Sequence, residues 1–386
     1  MHLSKCISIN ISAIGLLTTS WLWAFSAIAN ESEITHPQYV QTITNPYEQN
    51  NDIHPSWSRD GEIISFERYD SEKHEIILTD KQGVQLQTIS ISANKEFNLD
   101  DILGESDNGV SFNSGISWAP KGDKFVFTSN GKFNNFDLYT GKLGVSQSKR
   151  ITYHHQKDSH ANWSYDGRYI AFISSRSGWA QLYRFDTQTG EILNLLDNKY
   201  NSFYPIWSPD SKKLAFMQEI DDVFQIFVID DIEKPSASLR ALTKLSDINL
   251  RPSWSEDGRQ IAFFHYNKAS ELNPIWDIVM LQSNRETPLL DKDIDKHTIA
   301  NNVIINSETG PTWIPNSNHI AYVKNINEKY NPIYLVNLKT NKHTLFRTNT
   351  NLNKDLACSK DGILAFQSQD KQWSRIFISK LPDFKG

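Results

Sequence analysis

Short runs rich in Val, Ile, Phe and Tyr, separated by clusters of Asn, Asp, Ser and Gly, follow one another along most of the chain. Apolar runs this short, bounded by turn formers, predict strands and an all-β protein. They also recur as one unit. The clearest copies read Pro55-Ser-Trp57-Ser-Arg-Asp60-Gly61-Glu-Ile-Ile-Ser-Phe66, Trp163-Ser-Tyr-Asp166-Gly167-Arg-Tyr-Ile-Ala-Phe172 and Pro252-Ser-Trp254-Ser-Glu-Asp257-Gly258-Arg-Gln-Ile-Ala-Phe263. Weaker copies sit at Trp118, at Pro205-Ile-Trp207-Ser-Pro-Asp210-Ser211, at Pro311-Thr-Trp313-Ile-Pro-Asn316-Ser317 and at Cys358-Ser-Lys-Asp361-Gly362. The anchors at 57, 118, 163, 207, 254, 313 and 358 are spaced by 61, 45, 44, 47, 59 and 45 residues. A base period of about 45 residues is the length of one four-stranded propeller blade.

Each part of the unit has a mechanical reason. Asp-Gly, or its Asn/Ser variant, closes a tight hairpin because those residues tolerate positive φ. The strand before the turn carries Trp, a large rigid side chain suited to the space between blades. The strand after it is apolar throughout, as a strand packed on both faces should be. Third strands are expected at Glu75–Leu78, Asp137–Tyr139, Gln181–Phe185, Gln225–Ile229, Asp277–Leu281, Pro332–Val336 and Arg375–Ile378, and short fourth strands at segments such as Arg150–Thr152 and Ala241–Thr243. The last unit has only three strands, whereas Val40–Thr44 precedes the first unit unused. The expectation is a seven-bladed β-propeller of four-stranded antiparallel blades, with six blades the alternative, in which the N-terminal strand closes the last blade and removes a sheet edge. The two long spacings imply insertions between Ile89 and Trp118 and between Leu290 and Trp313, read as surface loops.

The first residues do not share the pattern. Lys5 gives a short positive start, Ile7 to Phe25 is largely apolar but broken by polar residues, and Ala27-Ile28-Ala29 fits a small-residue cleavage site. This predicts a signal peptide over 1–29, a single propeller domain over 30–386, and a periplasmic or secreted protein with no membrane insertion after cleavage. Of the two cysteines only Cys358 would remain, so no internal disulfide is expected, and its Trp position marks it as a core substitution. The formal charge is −6, spread without a long basic block, which argues against nucleic acid as a partner.

The Pro-x-Trp-Ser-x-Asp-Gly hairpin followed by Ile-Ala-Phe, with the later Gly178-Trp-Ala-Gln-Leu182-Tyr183, resembles the repeat of the TolB-like propellers, which are periplasmic or exported. A similar repeat occurs in the propellers of prolyl-oligopeptidase-like peptidases. The resemblance covers about residues 38 to 383 and implies fold more than function. TolB proteins carry an α/β domain before a six-bladed propeller, and the expectation here is a propeller without that domain. The peptidases carry a Gly-x-Ser-x-Gly elbow that the sequence lacks.

Candidate chemistry gathers just before each Trp strand, where the innermost strand begins. Five positions before the anchors stand Asp52, Asn113, Asp158, Ser202, Asn249, Glu308 and Asn353, and three before stand His54, Gly115, His160, Tyr204, Arg251, Gly310 and Asp355. These sets are expected to form a polar collar at one channel mouth, with Asp52, His54, Asp158, His160, Tyr204, Arg251, Glu308 and Asp355 as ligand-binding residues. Asp52-Ile-His54 and Asp158-Ser-His160 repeat one pattern. Residues two apart on a strand point the same way, so each pair could offer a carboxylate and an imidazole to a divalent cation such as Ca, Zn or Mn. His154-His155 adds imidazoles nearby. Tyr204 and Arg251 suit an acidic peptide terminus or a sugar acid. The leading expectation is a monomeric binding module for an envelope protein or peptide, or for a small polar ligand. The alternative is a metal-dependent lyase or lactonase-like enzyme acting on a carbohydrate or lactone.

Overall fold

In each Trp-Ser-x-Asp-Gly segment the serine and aspartate do the work of the turn. Ser58, Ser164, Ser208 and Ser255 each donate Oγ–H to the aspartate two residues on, at 2.5–2.7 Å. The same oxygens accept the backbone N–H of Ile63, Tyr169, Lys213 and Gln260, which starts the next strand. Gly61, Gly167 and Gly258 follow at φ of 70°, 79° and 69°, a region that costs glycine nothing.

The computed structural model describes residues 39–69, 74–91, 115–130, 135–268, 275–370 and 372–384. The expected leader at 1–29 and most of the first insertion, with Asn113, lie outside the described residues. Antiparallel strands dominate. Four blades run in chain order from the innermost strand outward: Asn51–Trp57 to Gln85–Ile91, Ser117–Trp118 to Val145–Arg150, Asp158–Trp163 to Ile192–Asn194, and Ser202–Trp207 to Leu239–Ala241. A fifth comprises Asn353–Cys358, Ile363–Asp370 and Trp373–Lys380 with Val40–Thr42 on its outer edge. There Val40 faces Ser379, Thr42 faces Phe377, and Ile43 N–H bonds Ile376 O at 3.0 Å.

The blade count expected from the sequence, seven with six as the alternative, is corrected. Five blades of four antiparallel strands are present, and residues 249–346, which hold the units anchored at Trp254 and Trp313, form one eight-stranded sheet. The insertion after Leu290 causes this. Instead of a loop it forms a 3-10 helix, Asp291–Lys296, and a strand, Thr298–Ile304. Two register shifts against Ile275–Gln282 bend that strand until Val303 and Ile304 pair with Lys324 and Val323. The third strands fall where expected. The fourth strands end earlier, at Arg150 and Ala241, because Thr152 and Thr243 turn inward and their Oγ1 atoms accept the N–H of Leu138 and Ile226.

The cores lie between neighbouring sheets. Met217, Ile226 and Val228 of one sheet pack with Trp254, Ile261, Phe263 and Val279 of the next. The anchor tryptophans also join sheets by hydrogen bonds: Trp207 gives its backbone N–H to Asn162 Oδ1 and its indole N–H to Asn162 O, both at 3.0 Å. Trp254 reaches Ile206 O of the preceding sheet in the same way, and Trp313 reaches Ser253 O within the eight-stranded sheet. Among the described residues no helix is long and apolar enough to cross a membrane.

Candidate functional site

Five collar residues are held in a backbone conformation that none of their side chains favours. His54, His160, Tyr204, Arg251 and Asp355 have φ between 50° and 52°, the left-handed region that non-glycine residues enter at a cost of about 1–3 kcal/mol. Each coincides with a β-bulge: pairing skips from Ile53 to Ser56, Ser159 to Asn162, Phe203 to Ile206, Leu250 to Ser253, and Lys354 to Ala357. A bulge breaks the two-residue alternation of side chains. The collar residue is therefore aimed into the channel while the residue two before it is turned into the blade.

The paired Asp-x-His arrangement separates for this reason. Asp52 is fully buried and receives Arg68 Nε at 2.7 Å and Nη2 at 3.2 Å. Asp158, also fully buried, receives Arg176 Nη2 on both oxygens at 3.1 and 3.0 Å. Neither aspartate lines the cavity. Ser202 and Asn249 occupy equivalent places, where Ser202 Oγ accepts Gln218 Nε2 and Asn249 Oδ1 meets His265 Nδ1. Asn353 is also buried within its blade. The rings of His154 and His155 meet at a tilt, centroids 4.2 Å apart, in the loop before Asp158 and away from the cavity lining. Among the described residues no group of three or more His, Cys, Asp or Glu side chains is arranged to hold a metal ion.

His54, His160, Tyr204, Arg251, Glu308 and Asp355 come together around one cavity of about 540 Å3. The His160 and Tyr204 rings meet at 4.5 Å, the Arg251 guanidinium lies 5.1 Å from the Tyr204 ring, and His54 Nε2 is 3.8 Å from Asp355 Oδ2. Burial alone would lower His54, but its 3.4 Å contact with Glu67 and the charges of Glu67, Asp355 and Glu308 raise it to about 9. Burial would raise Glu67, yet His54 and His74, the latter at 3.1 Å, hold it near 2. His160 is driven down to about 3 by burial and by the charges of Lys157 and Arg251, so it is neutral. Burial raises Glu308 to about 7, and the charges of Glu67 and Asp355 push the same way against those of His54 and Arg251.

Arg251 is the distinctive member. The residue is 6% exposed, it gives Nη1–H to Asn306 O at 2.8 Å and Nη2–H to Tyr204 Oη at 3.5 Å, and its Nε is buried without a partner. Among the described residues no carboxylate lies within ion-pair distance of it. A buried guanidinium that meets Glu308 only beyond ion-pair distance is under-compensated, and an anion supplied from outside would relieve it. His160 Nε2 and Glu308 Oε1 are likewise buried and unpartnered.

The other end of the cavity is crossed by Arg59. From its hairpin it donates Nε–H to Trp118 O at 2.9 Å and Nη2–H to Trp163 O at 2.5 Å, and its guanidinium sits 3.6 Å from the Tyr165 ring centre. Cys358 is a half-buried free thiol that packs against the core around Ile314, Leu356 and Leu364, in line with its Trp position, and also borders the cavity. Burial pushes its thiol up to about 12. The sequence reading missed Glu67, His74 and Arg59. Glu67 carried a signal, since it interrupts the apolar strand after the first hairpin where the other clear copies have Ile or Phe.

A family model described as the TolB beta propeller domain matches residues 49–202. A TolB homolog of Chlorobium chlorochromatii is 36% identical over 142 residues, covering 37% of this chain and 31% of that protein. The uncharacterized peptidase YuxL of Bacillus subtilis is 32% identical over 123 residues, covering 30% of this chain and 18% of that one. An uncharacterized protein of Agrobacterium fabrum is 26% identical over 157 residues, 39% of this chain and 53% of its own. The chain thus spans about half or less of the length of these relatives. In fold it is similar to TolB from Acinetobacter baumannii, with a TM-score of 0.52 and 15% identity over 78% of this chain and 67% of that one. It is similar in the same sense to an oligogalacturonate lyase in complex with manganese, with a TM-score of 0.62 and 13% identity over 91% and 95%. By repeat over residues 49–202 and by fold over most of its length, the chain is similar to the TolB-like β-propellers.

Proposed function

We propose that this protein is an exported binding module whose channel cavity receives an anionic end group, a carboxylate of a peptide segment or of a small polar ligand, beside Arg251. The observation that carries the reading is the buried guanidinium of Arg251, whose Nε has no partner and which no carboxylate of the described residues approaches to ion-pair distance. An unmet hydrogen-bonding group of this kind costs about 1–3 kcal/mol, more when charged, and a bound carboxylate recovers it. The five strained collar residues support the same reading, since strain of this kind gathers at functional positions. Neutral His160 and Glu308, whose carboxyl is raised to about 7 and so is partly protonated at neutral pH, would serve hydroxyl or amide groups next to the carboxylate. Metal-dependent chemistry is the weaker reading, because Asp52 and Asp158 are each taken up by an arginine.

Isothermal titration tests this with two probes, the peptide Ala-Gly-Asp-Glu and D-galacturonate, each with chelator present and with added Mn2+. Saturable binding in chelator that disappears in Arg251→Met supports the binding reading. Lack of binding by either probe in chelator, together with metal-dependent turnover of an oligogalacturonate, overturns it.

A further inference from the structure

Glu308 reaches the cavity by a route that the other collar residues do not share. It stands five positions before its anchor, and in the other described units that residue, Asp52, Asp158, Ser202, Asn249 or Asn353, lies in the innermost strand and is buried in its blade. Around Trp313 the innermost strand is only Thr312–Ile314. Val303 and Ile304 have already taken the edge beside Lys324 and Val323, so residues 305–311 have no ladder to join and cross the collar as a loop. The loop is pinned on both sides. Asn306 O accepts Arg251 Nη1–H at 2.8 Å and Asn306 Oδ1 accepts Leu356 N–H at 3.1 Å, while Ser307 gives its N–H and Oγ–H to Asp355 at 2.5 and 3.1 Å. A Cβ on Gly310 would meet Arg251 O at 2.3 Å, so the far limb of the loop lies against the backbone of the same arginine. Arg251 and Glu308 are therefore held in a fixed relation within one cavity.

We propose that Glu308 is the proton-linked partner of Arg251, so that an anion filling the Arg251 site brings with it a proton taken up from solvent by the Glu308 carboxyl. Burial raises that carboxyl, His54 of the first blade and Arg251 oppose the rise, and Glu67 of the first blade and Asp355 of the last add to it, which leaves it at about 7. Tyr204 of the fourth blade also faces it and is held neutral by burial. A carboxylate set against Arg251 cancels one of the two cations that keep Glu308 ionised and adds a negative charge to the same cavity. Both effects favour the protonated form. By linkage the reverse holds: protonation of Glu308 tightens the anion site, and its ionisation as pH rises weakens it. His160, at about 3, and His54, at about 9, do not change state around pH 7, so neither supplies this effect. The anion is that of the binding reading, on which the proton uptake rests; the coupling of Arg251 to Glu308 is independent of it.

Isothermal titration at pH 7 with D-galacturonate and with N-acetyl-Ala-Gly-Asp-Glu, neither of which titrates there, is run in phosphate and in Tris. The dependence of the observed heat on the buffer's heat of ionisation counts the protons taken up. About half a proton per ligand is expected, because a carboxyl with a value near 7 is half ionised at that pH, and none in Glu308→Gln. No uptake by wild type on binding, or equal uptake by Glu308→Gln, overturns the proposal. A ligand-free measurement separates it from the binding reading. In protein labelled with 13Cδ-glutamate, the resonance missing from Glu308→Gln should titrate near pH 7, and its midpoint should rise by about half a unit or more in Arg251→Met. Arg251→Lys, which keeps the cation, should leave it near the wild-type value. A midpoint unmoved by Arg251→Met, or raised equally by Arg251→Lys, overturns the linkage even where the probes bind. A midpoint that moves as expected, with no binding of either probe, upholds the linkage and removes the binding reading.

Discussion

Replacing Asp158 by alanine separates scaffold from site. Its carboxylate is fully buried and accepts Arg176 Nη2 at 3.1 and 3.0 Å, while Arg176 also donates Nε–H to Ser174 Oγ and packs over the rings of Phe172 and Tyr183. Removing one partner of a buried pair costs about 3–5 kcal/mol, because the other charge is left in a low-dielectric site. Arg176 keeps 17% of its side chain exposed, so some rehydration is available and the low end, about 3 kcal/mol, applies. At roughly 2 °C per kcal/mol, the lower limit for domains of moderate size, Asp158→Ala should melt about 6 °C below wild type. The double variant Asp158→Ala/Arg176→Met should recover part of the loss, since it leaves no orphaned charge. Differential scanning calorimetry of the four proteins closes the cycle. A melting temperature within about 1 °C of wild type, combined with loss of a stabilisation by Ca2+, Zn2+ or Mn2+, would refute the reasoning and return Asp158 to a metal site.

Two further outcomes follow from the geometry. Glu308 has a folded-state value near 7 against 4.5, so the folded chain holds its proton more tightly and this group's contribution declines as pH rises from 4.5 through 7. Glu308→Gln should therefore melt above wild type at pH 8.5 and with it at pH 4.5; equal differences at both values would count against a buried, strained carboxylate. His54, raised to about 9, adds a loss between 6.5 and 9 that Glu308→Gln lessens but does not remove, since Glu67 and Asp355 still hold it up. Gly141→Ala would set a Cβ 2.3 Å from the ring of buried Phe125, an overpacking that should cost about 1–3 kcal/mol in a denaturant titration.

Much of the fold was legible because its signals are local. Trp-Ser-x-Asp-Gly encodes a turn by serine and aspartate hydrogen bonds, and the apolar run after it encodes a strand buried on both faces. The merging of residues 249–346 into one sheet was not legible. It depends on where a bulged inserted strand lands relative to Lys324, which no local pattern states. The site was half legible: position relative to Trp located His54, His160, Tyr204, Arg251 and Asp355, but the direction of the aspartates was misread. Strand alternation fails at the bulge, and the bulge residue is hidden in sequence. His54, Tyr204 and Arg251 each precede proline, which predicts an extended conformation, yet all three have φ near 50°. The aspartates did leave a trace in Arg68 and Arg176, basic residues at the end of or just beyond the apolar strand that follows each hairpin.

Side-by-side titration of Arg251→Met and Asp158→Ala with Ala-Gly-Asp-Glu at neutral pH is the most direct test of the account. Binding should weaken at least about thirtyfold in Arg251→Met, the ~2 kcal/mol lower bound for losing one partner of a buried charge pair, and persist in Asp158→Ala despite its lower melting temperature. Retained affinity in Arg251→Met with affinity lost in Asp158→Ala would contradict it.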